Sequence, residues 1–312
     1  MNDDIHTLES GHLDVGDGHN IYYQRWGNKD GDPIFVFHGG PGSASKQTHK
    51  LAFEPTKHHV VFHDQRGCGQ STYTDQLKDV TIQKLVDDID RLKNHLKIDT
   101  IQLYGHSWGS TLALYYAIER PKSVSKLLIC GVYTASNKET DYLHRGGLST
   151  HFPEAWDYFS SVVPDGEMSN IFEFYEKKLT TGSFESRLEY YKRWSQLEYS
   201  AMSIDPDNRR VAQESQDKTD LEGLELDLLS IHYFKNGCFL PDRYILDNAH
   251  KLSEIQTVII QGRHDVVCPP DTAYELARNI GESCHLHIVP GAHKAEGALR
   301  EVQRAYAWSF LD

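Results

Sequence analysis

The chain has 312 residues, a formal net charge of −13, 39% hydrophobic residues and 11% aromatic residues. This length can bury a sizeable core in one large domain with a smaller second or inserted one, and the composition is ordinary for a globular protein. The negative charge argues against nucleic acid and anionic membranes as main partners. No apolar run approaches the length needed to span a bilayer.

The first half of the chain alternates short apolar runs with glycine-bearing loops, and one stretch carries apolar side chains at helical spacing. Such alternation favours an α/β fold with a parallel sheet and helices on both faces. Reactive groups in these folds gather at the carboxyl ends of the strands. The predicted strands cover residues 20–26, 33–37, 59–63, 100–104 and 124–130, and the predicted helix covers 81–96.

Residues 101–110 place Ser107 inside a G-x-S-x-G frame, between a predicted strand and a helix-like stretch at 111–118. Strand, sharp turn and helix are the context that a nucleophile elbow requires. In so tight a turn, a side chain larger than glycine at Gly105 or Gly109 would collide with neighbouring backbone. The motif arises often by chance, so the prediction that Ser107 is a nucleophile depends on its flanks and on its partners.

Between residues 134 and 240 the strand-like runs stop, and helical, aromatic and charged sequence takes over. The strand pattern resumes at 257–262 and 285–290. This change predicts a split α/β core over 1–133 and 241–312, with a helical cap or lid inserted over 134–240. The net acidity of the insert would favour a cationic group in the cleft only weakly, because acidic helical surfaces are usually solvated faces.

A nucleophilic serine needs an imidazole to take its proton and an acid to orient that imidazole. In α/β hydrolases the chain order is Ser, then Asp or Glu, then His, with both partners on loops after later strands. Asp265 and His293 satisfy that order, and each follows a predicted strand. Asp271 is the nearest rival acid, but its place after two prolines suits a helix N-cap better. The sequence therefore predicts a triad of Ser107, Asp265 and His293.

The oxyanion that forms during acyl transfer needs hydrogen-bond donors. The amide of Trp108, directly after the serine, is one candidate. The second should come from the HGGPG loop at 38–42, with Gly40 the first choice and Gly39 the second. A phosphate-binding loop is disfavoured, because no Lys-Ser or Lys-Thr follows these glycines.

The other histidines and the cysteines point to no metal or organic cofactor. His285 and His287 alternate on a predicted strand and could hold a metal, but a solvent-facing pair without a third ligand is the commoner case. His58, His59 and His144 are predicted at the surface. The five widely spaced cysteines form no C-x-x-C pair, and the acidic start of the chain does not have the pattern of a signal peptide. These features favour reduced thiols and a cytoplasmic location.

Five motifs together resemble the proline iminopeptidases, which are serine exopeptidases of the α/β-hydrolase fold that release an N-terminal proline. The resemblance runs over nearly the whole chain and implies the same triad. The motifs are HGGPG at 38–42, DQRGCGQS at 64–71, G-x-S-W-G-S at 105–110, G-R-x-D at 262–265 and G-x-H at 291–293.

The resemblance is only partial in the insert. The family has a W-x-x-x-E segment whose glutamate binds the free amino group of the substrate, and Trp194-Ser-Gln-Leu-Glu198 matches it. The resemblance thus implies substrate binding by Trp194 and Glu198, while a solvated helix glutamate remains the alternative. A second family glutamate precedes a His-Tyr-Phe segment, and Ser230 stands at that position here. The loss of that carboxylate should weaken or redirect recognition of the amino group.

The leading hypothesis is therefore a serine aminopeptidase that releases an N-terminal residue, preferably proline, from short peptides or aminoacyl small molecules. An esterase, lactonase or amidase on the same scaffold, with no need for a free amine, is the first alternative. A catalytically silent binding protein is the second, but such proteins usually lack a triad member, and none is missing here. The oligomeric state stays open.

Overall fold

The computed structural model describes residues 5–204 and 220–311. Within them one sheet has the strand order β1-β2-β4-β3-β6-β7-β8-β9, and the short β5 pairs with β2. The strands are β1 (Thr7–Gly16), β2 (His19–Gly27), β3 (Pro33–Phe37), β4 (His59–His63), β5 (Thr72–Tyr73), β6 (Ile101–Ser107), β7 (Val124–Val132), β8 (Gln256–Gly262) and β9 (Cys284–Val289).

Helices follow most of the central strands. Thr81 caps the first of them, its hydroxyl oxygen accepting a hydrogen bond from the Lys84 amide at 3.3 Å. The helices are α1 (Ile82–Leu96), α2 (Trp108–Glu119), α3 (Asn137–His144), α4 (Pro153–Ser160), α5 (Ile171–Thr180), α6 (Phe184–Met202), α7 (Asp220–Lys235), α8 (Tyr244–Asn248), α9 (Pro270–Ile280) and α10 (Gly297–Phe310).

The sheet is mostly parallel. From β4 through β3, β6, β7 and β8 to β9 every neighbouring pair is parallel, whereas β1 and β2 are antiparallel to their neighbours. The carboxyl ends of the parallel strands therefore meet at one edge, where the predicted site residues follow β3, β6, β8 and β9.

The central strands are buried on both faces because successive side chains point to opposite sides of a sheet. Phe35 and Leu103 belong to one buried cluster, which α1 and α2 cover. Ile34 and Tyr104 belong to a second cluster, which α10 covers. Helices on both faces of a mostly parallel sheet confirm the predicted α/β class.

Helices α3–α7, called the helical insert below, lie in the chain between β7 and β8. Aromatic side chains supply their common core, in which Phe159 and Tyr175 stack at 4.8 Å and Trp194 lies edge-on to Tyr175 at 5.4 Å. The domain boundaries at 133/134 and 240/241 stay a prediction. No helix among residues 5–204 and 220–311 is long and apolar enough to cross a membrane.

Candidate active site

Ser107 ends β6 and directly precedes α2, in a conformation that non-glycine residues rarely adopt (φ 57°, ψ −128°). Such backbone strain costs about 1–3 kcal/mol and persists only where the surroundings enforce it. A Cβ at Gly105 would lie 2.2 Å from the Gly109 carbonyl oxygen, and one at Gly109 would lie 2.1 Å from the Phe37 carbonyl oxygen. The predicted collision at both glycines is thus confirmed, so this tight turn requires glycine at both positions.

The loops after β8 and β9 bring Asp265 and His293 together. His293 Nδ1 lies 2.9 Å from Asp265 Oδ2, and the two side chains are 1% and 0% exposed. Because a carboxylate only accepts hydrogen bonds, the imidazole donates from Nδ1 and keeps Nε2 free as a base.

Three further donors hold the Asp265 carboxylate. Gln261 Nε2 donates to Oδ2 at 3.0 Å, and the amides of Val267 and Cys268 donate to Oδ1 at 3.0 and 2.8 Å. Gln261 also accepts a hydrogen bond from the Val132 amide at 2.9 Å, so the acid is tied to the end of β7. Gln261 had no predicted role, although it lies at the end of a predicted strand.

His293 lies beside the elbow because its ring packs edge-on against that of His106, the residue before Ser107, at a centroid distance of 5.1 Å. Gly131 makes room for both rings, since a Cβ there would lie 3.1 Å from His106 Nε2 and 3.2 Å from His293 Cε1. Burial lowers the pKa of His106 to about 3, so this ring is neutral. Among the residues described, no hydrogen bond joins the Ser107 hydroxyl to His293; such contacts often tighten only when substrate binds.

Free amide groups surround Ser107. A Cβ at Gly39 would lie 3.5 Å from the Ser107 Cβ, so this glycine lets the HGGPG loop approach the serine closely. Within the described parts of the chain, the N–H groups of Gly39 and Gly40 donate to no protein acceptor. The N–H of Trp108, at the first position of α2, has no intrahelical acceptor either. These amides are available to an anion beside Ser107.

The substrate-binding residues predicted in the insert differ in their exposure. Glu198 on α6 is 38% exposed, and its Oε1 lies 3.8 Å from His144 Nε2. Trp194 has no exposed surface and stacks on the His144 ring at 4.9 Å, so it packs the insert and cannot touch a substrate in this conformation. This corrects the substrate-binding role predicted for Trp194. Ser230 is also buried, and its hydroxyl donates to the carbonyl oxygen of Pro41 in the HGGPG loop.

Asp227 on α7 is a second carboxylate of the insert, for which the sequence motifs predicted no role. It accepts a hydrogen bond from the Ser195 hydroxyl at 3.0 Å. Burial and the nearby Glu198 carboxylate raise the pKa of Asp227 well above its usual range. Its position three residues before Ser230 was the available signal, because residues three apart lie on one face of a helix.

The structure also places the other histidines for which the sequence predicted a position. His58, His59 and His144 are buried rather than at the surface, which corrects that expectation; each ring fills space against neighbouring aromatic or strand residues. His287 packs on Tyr306 at 4.5 Å. Across the described residues no group of three or more His, Cys, Asp or Glu side chains could hold a metal.

A cleft of about 670 Å³ lies between the helical insert and the loops after β8 and β9. The insert contributes Tyr142, Phe152, Ala201 and Ile204 to its walls, and the core contributes Asp265 and Ala292. Its walls include Asp265 but neither Ser107 nor His293, so this cleft is not the space over the serine.

Comparisons with known proteins agree with this architecture. A family model described as the α/β hydrolase fold matches residues 32–295. The proline iminopeptidase of Arabidopsis thaliana is 36% identical over 293 residues, which are 93% of this chain and 76% of the relative. A probable proline iminopeptidase of Leptolyngbya boryana is also 36% identical, over 92% of this chain and 89% of its own. An esterase from Exiguobacterium antarcticum superposes with a TM-score of 0.68 at 20% identity, covering 97% and 99% of the two chains.

Proposed function

This chain belongs to the proline iminopeptidase family of α/β hydrolases, and on that premise we propose that it is a serine aminopeptidase. It releases an N-terminal residue, preferably proline, from short peptides. Two kinds of support converge on this proposal: the names of the relatives, and a site that combines an acyl-transfer geometry with carboxylates suited to an amino group.

In the proposed mechanism, Ser107 attacks the carbonyl carbon of the first peptide bond while His293 Nε2 takes the hydroxyl proton. Asp265 stabilises the imidazolium through its contact with Nδ1. The amide of Trp108 and that of Gly40 or Gly39 bind the oxyanion. His293 then protonates the leaving amine, the C–N bond breaks, and an acyl-enzyme remains. Water then attacks the ester while the same imidazole takes its proton, and the imidazolium returns that proton to the Ser107 oxygen as the amino acid leaves.

The observation that carries the aminopeptidase proposal is the pair of carboxylates in the insert. Asp227 and Ser230 lie on one face of α7, and Ser230 bonds the HGGPG loop, so Asp227 lies one helical turn from a residue that contacts this loop. Glu198 acts electrostatically on Asp227 from α6. A cation bound between them would offset the repulsion between the buried Asp227 and the partly exposed Glu198. We propose that the ammonium group of the substrate is that cation.

The deciding experiment compares prolyl-p-nitroanilide with its N-acetylated form, which has the same scissile bond but no charge. The free amine should be hydrolysed at least 100-fold faster in kcat/KM, and Glu198→Gln should reduce that preference. The matched control is Glu189→Gln, a half-exposed glutamate of the same helix that pairs with Arg193. Equal rates for the two anilides would reject the aminopeptidase proposal.

An esterase or amidase without a need for a free amine is the second candidate. The observation in its favour is Ser230, which places a hydroxyl where the family resemblance implies a carboxylate. Faster hydrolysis of simple p-nitrophenyl esters than of any free aminoacyl-anilide would support it.

For the setting of the reaction we propose the cytoplasm and short peptides as substrates. Five unpaired cysteines, four of them buried, are compatible with a reducing compartment.

A further inference from the structure

We propose that Gln65, in the loop after β4, positions both walls of the oxyanion hole without touching the substrate. The inference rests on the proposed function in one respect, since it takes the free amides around Ser107 as the oxyanion donors. Gln65 is 3% exposed. Three hydrogen bonds, two from its side chain and one from its backbone, reach the HGGPG loop and the elbow.

The first bond fixes the amide of Gly39. Gln65 Nε2 donates to the carbonyl oxygen of His38 at 3.1 Å. In a planar trans peptide the C=O and the N–H point in opposite directions. A fixed His38 carbonyl therefore fixes the direction in which the Gly39 N–H points.

The second bond fixes the amide of Gly40 through the ring of His38. The Gln65 amide donates to His38 Nε2 at 3.0 Å, so the neutral imidazole carries its proton on Nδ1. That Nδ1 lies 3.0 Å from the Gly39 carbonyl oxygen and donates to it. Burial lowers the pKa of His38, which keeps the ring neutral. The Gly39–Gly40 peptide is thereby held, and with it the direction of the Gly40 N–H.

The third bond reaches the opposite wall. Gln65 Oε1 accepts a hydrogen bond from the indole Nε1 of Trp108 at 2.9 Å. Trp108 is fully buried, and Tyr233 packs on its ring at 4.6 Å. Because Trp108 is the first residue of α2, its side chain and its amide are held together.

The two side-chain partners determine which residue type at position 65 can bond both walls. The His38 carbonyl only accepts, and the Trp108 indole only donates, so position 65 must supply one donor and one acceptor on the same planar group. Glutamate would lose the donor, and methionine would lose both groups at similar volume. Glutamine alone among residues of this length satisfies both walls at neutral pH.

The test uses Gln65→Met and Gln65→Glu, with Gln303→Met as the matched control. Gln303 lies on α10, is also 3% exposed, and belongs to neither wall. The measurements are kcat and KM for prolyl-p-nitroanilide, the rate at which a fluorophosphonate labels Ser107, and the melting temperature. Phosphonylation forms an oxyanion at the same place but does not need the amino-group site.

Both Gln65 variants should lower kcat and the labelling rate by about 10- to 100-fold, because misdirected donors stabilise the transition state poorly. KM should stay within about twofold, since the ground-state carbonyl gains little from these donors. Gln303→Met should leave kcat and labelling near wild type, even where its melting temperature falls equally. Labelling and kcat of Gln65→Met within threefold of wild type would overturn the inference, as would an equal loss in Gln303→Met.

Where Gln65→Met does not fold, Trp108→Phe supplies the answer, because it removes the indole donor and keeps the amide of residue 108, while the melting temperature reports the cost of the lost ring volume. A lower kcat and a lower labelling rate at unchanged KM support the positioning role of Gln65, and wild-type values of both refute it. If wild-type protein is labelled by the fluorophosphonate but does not hydrolyse the prolyl anilide, the proposed substrate is wrong, and Gln65 is still judged on the labelling rate.

Discussion

At the scale of single residues, the buried Asp227 carboxylate costs stability, and the proposed binding of an ammonium group would account for it. A buried carboxylate with one hydroxyl donor and a like charge nearby is costly to ionise. No fold requirement explains an aspartate at this point of α7, since asparagine has the same shape. Such a carboxylate destabilises the protein without substrate but attracts an ammonium group. Selection for substrate binding would therefore retain it.

We expect Asp227→Asn to raise the melting temperature at pH 7 and to raise KM for prolyl-p-nitroanilide by about tenfold or more. The stability effect has a definite sign with pH. The folded pKa lies above the unfolded one, so the folded state binds the extra proton and stability falls as pH rises through that window. The difference in melting temperature between variant and wild type should thus be small near pH 4 and grow toward neutral pH. A variant that is less stable than wild type at pH 7 would contradict this account.

At the scale of elements, the elbow depends on the packing of α2 against two strands. Gly109 lies in the first turn of α2, where a methyl group would reach within 2.1 Å of the backbone of β3. Backbone on both sides leaves no flexible side chain to move, so the helix or the strand must shift.

Gly109→Ala should therefore destabilise the protein by more than the about 1–3 kcal/mol typical of overpacking, and should abolish fluorophosphonate labelling. Gly11→Ala in β1 is the control, because its added methyl would only make ordinary contact with the Tyr23 ring at 3.4 to 3.5 Å. Urea denaturation measures both. Normal stability of Gly109→Ala would mean that the turn is looser than these distances indicate.

At the scale of the whole molecule, the sequence predicted the strands and helices better than the contacts between side chains. Strand and helix periodicity, with glycine motifs after strands, located the sheet edge and the residues that follow it. The roles of Trp194, His144 and Asp227 depended instead on which helix faces meet inside the insert. An apolar or aromatic residue on a helix packed on several sides gives no periodic signal for the face that is buried. Gln65 belongs to the DQRGCGQS motif, but its partners at positions 38 and 108 come together only in the fold.

The helical insert is hydrogen-bonded to both catalytic loops. Ser230 on α7 donates to Pro41 in the HGGPG loop, and the amide of Lys294, next to His293, donates to the Met202 carbonyl at the end of α6 at 2.9 Å. The placement of the insert therefore bears on the donors and on the base at once. This arrangement suggests a positioning role for Ser230, as an alternative to direct contact with the substrate.

If Ser230 acts as this tie, Ser230→Ala should lower kcat by up to about tenfold with little change in KM for prolyl-p-nitroanilide, and should cost about 0.5–1.5 kcal/mol of stability. Ser200→Ala is the matched control, since that serine is similarly buried but bonds the Leu197 carbonyl within its own helix. Ser200→Ala should lose stability without a change in kcat or KM. If Ser230 instead binds substrate, Ser230→Ala should raise KM and leave kcat unchanged. Steady-state kinetics of the two variants beside urea denaturation separates the roles, because only a tie to the oxyanion loop slows the chemical step while leaving the amino-group site intact.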